Sequence, residues 1–152
     1  MTLTSLTFRD RAPDDNAAVH RVWARAVQAT HTFLSADDFA EISDLVRDQY
    51  VPNTRLDLAL HEGRIIGFMG MTDLHIDSLF IDPDWTGQGL GRQFLARARR
   101  KGRPITVDVN EQNAGAVAFY RRLGFVQTDR SALDADGRPY PILYLIDTYD
   151  PR

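Results

Sequence analysis

A strand-like segment at residues 79–81 leads into a turn that contains Gly87, Gly89 and Gly91, and a helix-like segment follows at once. Because glycine has no Cβ atom, such a turn can bend tightly and bring its backbone amides close to a ligand. The start of a helix also offers unpaired N–H groups and a positive dipole end, which favour an anion such as a pyrophosphate. The spacing predicts a site for a phosphate-bearing cofactor, and the alternative is a plain strand-to-helix turn.

Two better-known glycine motifs do not fit this turn. A Walker loop would continue with Gly-Lys-Ser or Gly-Lys-Thr, which is missing here, and the third glycine comes one residue too early for the dinucleotide fingerprint. The phosphate-binding interpretation therefore needs support from elsewhere in the chain.

A second motif lies downstream, where Asn113, Ala116 and Tyr120 recur at helical spacing and share one face. An amide and a phenol on one face can orient a polar ligand and give it a proton, because a phenol stays protonated at neutral pH. The alternative is that Asn113 caps the helix and Tyr120 packs in the core.

Several titratable side chains are candidates for accepting a proton. His75 and Asp77 are two residues apart in a predicted strand, so they point to the same face. The alternative is a polar strand face. His31 is a third candidate in a predicted loop, where a simple polar contact is the competing interpretation. His20 and His61 are interpreted as surface residues.

The bulk composition narrows the function classes. The 152 residues (1–152) suit one domain, and a net charge of -3 argues against bulk nucleic-acid binding. The absence of cysteine removes thiolate nucleophiles and cysteine-based zinc sites. The chain shows no signal peptide, and its longest apolar run, residues 142–146, is too short to span a bilayer, so cytoplasmic residence is expected.

The elements that must position these residues follow from periodicity and turn residues. Strands are predicted over residues 4–9, 56–61, 64–72, 75–81, 105–109, 125–128 and 141–146. Helices are predicted to begin at Pro13, after Ser35, at the glycine turn and at Asn113, the last one ending at Gly124. The predicted inward residues of the first three helices are Val19, Val22, Trp23, Ala26, Val27, Phe39, Ile42, Leu45, Val46, Leu90, Phe94, Leu95 and Ala98. This order predicts an α/β (α+β) fold, a mixed sheet flanked by helices.

With both motifs in place, the chain resembles the GCN5-related N-acetyltransferase (GNAT) superfamily, and within it the small bacterial acetyltransferases of the YjaB type. Gly89 and Gly91 match its Gln/Arg-x-x-Gly-x-Gly/Ala signature. Residues 29–31, 33–35, 79–83, 109–113 and 137–141 carry the closer similarity. The resemblance implies one N-acetyltransferase domain over residues 1–152, with about six or seven strands and about four helices.

The resemblance also implies that acetyl-CoA is the cofactor and that no metal is needed. The residues implied to bind it are Leu79, Phe80, Ile81, Thr86, Gly87, Gln88, Gly89, Leu90, Gly91, Arg92, Asn113 and Tyr120. Thr86 stands where the signature usually has Arg or Gln, and a hydroxyl donates one hydrogen bond but adds no charge. The turn amides, helped by Arg92, are therefore expected to hold the pyrophosphate.

The implied chemistry is direct attack of a primary amine on the thioester. Tyr120 would protonate the leaving thiolate, an N–H near Leu79 or Phe80 would polarise the carbonyl, and Asp77 or His75 would relay the amine proton through water. The acceptor is a small molecule, a protein lysine or a protein N-terminus. A non-catalytic acetyl-CoA-binding module and an unrelated α/β binding domain are the alternatives.

Three surface features have open interpretations. An acidic helix face could attract a cationic amine or simply be solvated, and it consists of Asp37, Glu41, Asp44 and Asp48. A basic cluster could meet the cofactor's 3'-phosphate or be solvated, and it consists of Arg97, Arg99, Arg100 and Lys101. The tail, residues 139–150, could form a homodimer surface or pair within the sheet.

Overall fold

The computed structural model describes residues 5–149, in which seven strands form one mixed sheet. The strands are β1 (Leu6–Asp10), β2 (Leu56–His61), β3 (Arg64–Thr72), β4 (His75–Ile81), β5 (Thr106–Asn110), β6 (Phe125–Ser131) and β7 (Ile142–Asp147). Their spatial order is β1-β2-β3-β4-β5-β7-β6, and the β4–β5 pair is parallel whereas the other neighbours are antiparallel. The predicted mixed sheet is confirmed.

The α-helices of the described residues are α1 (Asn16–Thr30), α2 (Ala36–Leu45), α3 (Val51–Asn53), α4 (Leu90–Arg99) and α5 (Ala114–Arg122). A short 3-10 helix, Pro13–Asp15, leads into α1, so the helical region begins at Pro13 as predicted, and a second one spans Pro83–Trp85. The predicted start of α2 is confirmed by its cap, because the Ser35 hydroxyl accepts a hydrogen bond from the Asp38 amide at 3.1 Å. A π-helical turn, Val46–Tyr50, joins α2 to α3. This continuation was not predicted, because a widened helical turn has no residue signature of its own.

Apolar side chains form two clusters on opposite faces of the sheet. One lies under α1 to α3 and the other under α4 and α5, as alternating strand residues require. The predicted inward residues of α1 and α4 are buried. Leu45 was predicted to point inward, and this was wrong, since it is 48% exposed. Phe39, Ile42 and Val46 occupy a stripe of about 60° around the helix, and Leu45 lies about 60° beyond its edge.

β4 and β5 separate shortly after they pair. The parallel register links His75 to Thr106 and Ile76 to Val107 and then stops. A shift in the β3–β4 register leaves Asp77 without a cross-strand partner in β3, and such a bulge bends the strand that carries it. The separation opens a cleft between the two strands in the middle of the sheet.

The strands nearest the two ends of the chain, β1 and β7, lie where strands were predicted. The predicted first strand includes Thr4, and the predicted tail ends at Asp150, and both residues lie outside the described residues. The tail's strand, β7, pairs between β5 and β6. Within residues 5–149, no helix combines the length and the apolar character needed to cross a membrane.

Candidate active site

A groove of about 490 Å³ runs from the end of β4 across the glycine turn to the first turns of α4 and α5. The predicted cofactor residues that line it are Leu79, Phe80, Ile81, Thr86, Gly87, Gly89, Leu90, Gly91, Arg92, Asn113 and Tyr120. Gln88 is the exception, because its half-buried side chain does not line the groove. Residues that are far apart in the sequence therefore meet along one surface.

The three glycines of the turn have different structural roles. Gly87 and Gly89 adopt φ values of 75° and 86°, which L side chains rarely adopt, and Gly89 is the N-cap of α4. Gly91 has an ordinary backbone, but a Cβ atom there would lie 2.9 Å from Cζ of Phe119 in α5. The first two glycines shape the turn, and the third lets the start of α4 lie close to Phe119 of α5.

We expect Gly91→Ala to lower the free energy of unfolding by roughly 1–3 kcal/mol, because the new methyl group overpacks the contact with Phe119. Urea unfolding followed by circular dichroism measures this change. Gly115→Ala is the matched control, since its Cβ would meet only Asn113 Oδ1 at 3.8 Å. Equal stability of the two variants would contradict the packing role of Gly91.

A buried carboxylate braces the segment between β4 and the glycine turn. Asp82 is 3% exposed, accepts hydrogen bonds from Arg25 at 3.1 and 3.3 Å, and caps the Asp84 amide at 2.9 Å. Burial raises its pKa, but the Arg25 guanidinium and the Asp84 amide together hold the pKa below its ordinary value. The loop is thereby tied to α1 on the other side of the strand.

Polar side chains at the turn are already partly engaged. The Thr86 hydroxyl donates to the Pro83 carbonyl oxygen at 3.1 Å, so its proton is used within the loop. Arg92 lines the groove and is exposed. From the basic cluster, Arg97 pairs with Asp57 and Arg99 with Asp147. Backbone amides and Arg92 are therefore the donors that the turn offers to an anion.

The separation of β4 and β5 forms a smaller cavity of about 100 Å³, called the central cleft here. It shares Leu79, Phe80, Asn113 and Tyr120 with the groove, so the two cavities adjoin. Asn113 also caps α5, accepting from the Ala116 amide at 3.2 Å. The capping role and a position beside the groove are thus compatible.

Tyr120 lies where the groove meets the central cleft. Its side chain is 5% exposed, and the ring packs edge-on against Phe119 and Phe125 with centroids 5.1 Å away. Burial raises the pKa of the phenol, which stays protonated at neutral pH. No hydrogen bond among residues 5–149 involves its hydroxyl, and no fully buried side-chain oxygen in that range lacks a partner, so the hydroxyl reaches the surface of the cavities that Tyr120 lines.

A third cavity, of about 330 Å³, lies on the α1–α2 side of the sheet and is called the acceptor cavity here. Its inner wall is apolar and includes Trp23, Val27 and Ile42. Carboxylates of the loop between β6 and β7, Asp134 and Asp136, line its outer part. It meets the central cleft, because the two cavities have four residues in common, which are His31, Phe80, Asp108 and Asn110.

His31 lines the groove, the central cleft and the acceptor cavity. It ends α1, where its amide donates to the Val27 carbonyl at 2.7 Å, and its Nδ1 is 2.8 Å from the Thr30 hydroxyl. Burial lowers the pKa of the imidazole, although a hydrogen bond from the ring to Asn110 opposes this shift. A histidine at the meeting point of three cavities is therefore held neutral at pH 7.

Sequence reasoning missed Asp108, which lines both the central cleft and the acceptor cavity. Burial raises the pKa of its carboxyl. The nearby His75 partly offsets this shift, whereas the negative charge of Asp77 adds to it. Alternation along β5 places Asp108 on the face opposite the buried Val107 and Val109, but only the tertiary structure shows that Asp108 borders these cavities.

The two other candidates for accepting a proton, His75 and Asp77, lie near these cavities. His75 Nδ1 is 2.7 Å from the Thr106 hydroxyl, and its Nε2 is 3.7 Å from Asp108. Asp77 is exposed and accepts from the Thr72 hydroxyl at 2.6 Å. Neither residue lines the groove, the central cleft or the acceptor cavity.

The two histidines interpreted as surface residues are half-buried, so this interpretation was wrong. His20 stacks on Trp23 with centroids 5.8 Å apart, and its Nε2 is 2.9 Å from the Ser43 hydroxyl. His61 packs on Trp85 at 4.5 Å. Each histidine ring packs on a tryptophan ring, and the pattern of polar and apolar residues in the sequence does not predict such contacts.

Known proteins share both the sequence and the fold. A family model described as the acetyltransferase (GNAT) domain matches residues 23–139. The chain is 41% identical to the peptidyl-lysine N-acetyltransferase YjaB of Escherichia coli (strain K12), covering 92% of this chain and 95% of that protein. It is 45% identical to the protein of the same name from Salmonella typhimurium (strain LT2), with coverages of 93% and 97%.

The solution structure of apo-form YjaB from Escherichia coli superposes with a TM-score of 0.91 at 39% identity, covering 97% of this chain and all of that one. The family match and this similarity over nearly the whole length agree with a single seven-stranded sheet in this chain. The chain is therefore an acetyltransferase and belongs to the GNAT family.

Proposed function

We propose that this protein uses acetyl-CoA to acetylate the side-chain amine of lysine residues in proteins or peptides. The observation that carries the proposal is a passage formed by three adjoining cavities, the groove, the central cleft and the acceptor cavity, which share His31 and Phe80. Such a passage allows a cofactor and an acceptor to meet from opposite sides of the sheet. Both YjaB relatives are named peptidyl-lysine N-acetyltransferases, which supports lysine over other amines.

The groove fits an extended phosphate-bearing cofactor. The turn around Gly87 and Gly89 and the start of α4 offer amides for the pyrophosphate, and Arg92 adds a positive charge. Because β4 pairs with β3 alone beyond Ile76, alternate N–H groups near Leu79 and Phe80 have no strand partner on the cleft side. One of these groups is suited to polarising the thioester carbonyl.

The attacking amine must be neutral, and at pH 7 deprotonation of lysine costs about 4.6 kcal/mol. We propose His31 as the proton acceptor, since it is held neutral and lines the acceptor cavity. His75 and Asp77 remain candidates that would act through Asp108. After the amine attacks, the C–N bond forms, the C–S bond breaks, and Tyr120 gives its proton to the thiolate.

The pH profile of kcat/KM tests the proton acceptor. Because burial lowers the pKa of His31, the imidazole stays neutral down to a pH below its ordinary value near 6.5. We expect wild-type activity to fall only when the pH drops through that lowered pKa. His31→Gln should lower kcat/KM by about 100-fold and abolish this acidic limb. An unchanged limb in His31→Gln would instead favour the route through Asp108.

Release of free thiol from acetyl-CoA across lysine peptides, N-terminal peptides and small amines tests the function. We expect turnover with lysine peptides, and a thermal shift on addition of CoA reports cofactor binding independently. A thermal shift without turnover on any acceptor would favour a non-catalytic acetyl-CoA-binding module.

We also propose that residues 1–152 form one N-acetyltransferase domain, that the protein resides in the cytoplasm, and that it forms a homodimer.

A further inference from the structure

The chain has a single lysine, Lys101, although Lys and Arg together number 18. It lies in the turn that follows α4, and its side chain is exposed. Among the described residues no salt bridge involves it, whereas Arg99 and Arg103 on either side are both held by Asp147, at 2.9 and 3.7 Å. The turn thus presents a free ammonium next to Arg100, which is exposed as well.

The outer part of the acceptor cavity has the opposite charge. Asp134 and Asp136 line it, and Arg138 links them to α2 through Asp38 and Glu41, at 3.6 and 3.5 Å. This acidic rim contains four carboxylates and one guanidinium. A lysine followed or preceded by arginine is therefore attracted to the mouth of the cavity.

Lys101 cannot reach the acceptor cavity of its own chain. The turn follows the far end of α4, about 15 Å along the helix from the groove. In addition, α4 packs on one face of the sheet, while the acceptor cavity is lined by α1 and α2 residues on the other. Any reaction must therefore take place between two copies.

We propose that one copy of this protein acetylates Lys101 of a second copy, with the acidic rim receiving the Arg100-Lys101 turn. The inference rests on the proposed function. The neutral Lys101 amine attacks the acetyl-CoA carbonyl, a C–N bond forms as the C–S bond breaks, and the amine proton passes to the enzyme while CoA leaves as the thiol. Because Lys101 is the only lysine of the chain, the acetylated product has no charged lysine side chain. The rate of this reaction is second order in protein concentration.

Two variants separate the acting copy from the accepting copy. Tyr120→Phe with a lysine-free tag serves as acceptor, and Lys101→Arg serves as enzyme because it has no lysine to modify. Both are mixed with acetyl-CoA, and acetylation of Lys101 is followed by mass spectrometry of proteolytic fragments, which separates it from the N-terminal amine. A lysine peptide in a parallel reaction measures the activity of the same Lys101→Arg enzyme.

We expect the enzyme copy to accelerate acetylation of Lys101 at least about tenfold over the acceptor alone, in proportion to enzyme concentration. The double substitution Glu41→Gln and Asp136→Asn in the enzyme copy should slow acetylation of Lys101 about threefold. It should slow acetylation of a lysine peptide with uncharged flanking residues much less. If the peptide is acetylated but Lys101 gains nothing over the acceptor alone, the inference is overturned and the proposed function stands. If neither is acetylated, both fail.

Discussion

Tyr120→Phe should lower kcat by about 100-fold or more while the dissociation constant for acetyl-CoA changes little. The substitution removes one hydroxyl and keeps the edge-on contacts with Phe119 and Phe125, so the local packing survives. It deletes the proton that the leaving thiolate would take, and general acid catalysis typically contributes 100-fold to 10,000-fold. Steady-state release of thiol and calorimetric titration with acetyl-CoA in the absence of an acceptor measure the two quantities.

Tyr149→Phe is the matched control. It removes a phenol of the same kind from an exposed ring, whose contact with the Arg99 guanidinium at 4.2 Å does not need the hydroxyl. We expect wild-type kinetics from this variant. Full turnover in Tyr120→Phe would show that the thiolate leaves without a proton from the enzyme, or receives it from another group.

Asp147→Asn should lower the free energy of unfolding by about 3 kcal/mol and Tm by about 10 °C. The Asp147 carboxylate is fully buried and accepts from Arg99 at 2.9 and 3.1 Å and from the Tyr149 amide at 2.9 Å. Arg99 also donates to the Leu123 carbonyl at 2.6 Å, so the pair ties α4, α5 and β7 together. Without the carboxylate, the guanidinium charge is left buried and uncompensated.

Asp48→Asn provides the comparison, because Asp48 pairs with Arg47 through two bonds of 2.8 and 2.9 Å. Both of these side chains are about half exposed, at 54% and 53%. Solvent screens such a pair, so the loss should be much smaller than that of Asp147→Asn. Chemical unfolding of the two variants under one condition measures both losses. Similar losses would mean that burial does not set the energy of the Asp147 pair.

Local sequence signals predicted most of the elements, and these were confirmed. The bounds of β2, β3 and β4 match the prediction, the Ser35 cap begins α2, and Gly124 ends the α5 region with a φ of 101°. Each depends on a few neighbouring residues, whose alternation, capping or backbone freedom acts over one or two turns. Leu45 shows the limit of this reasoning, because a helical stripe predicts its centre better than its margin.

By itself, the sequence determined the order of strands and helices, the glycine turn and the resemblance to the GNAT family, since these depend on residue type and spacing. The tertiary structure decided how the cavities connect. His31 and Asp108 are 77 positions apart, yet both line the cleft between β4 and β5, and Thr86 uses its proton within its own loop. Such contacts arise from packing between distant segments, which no local pattern encodes.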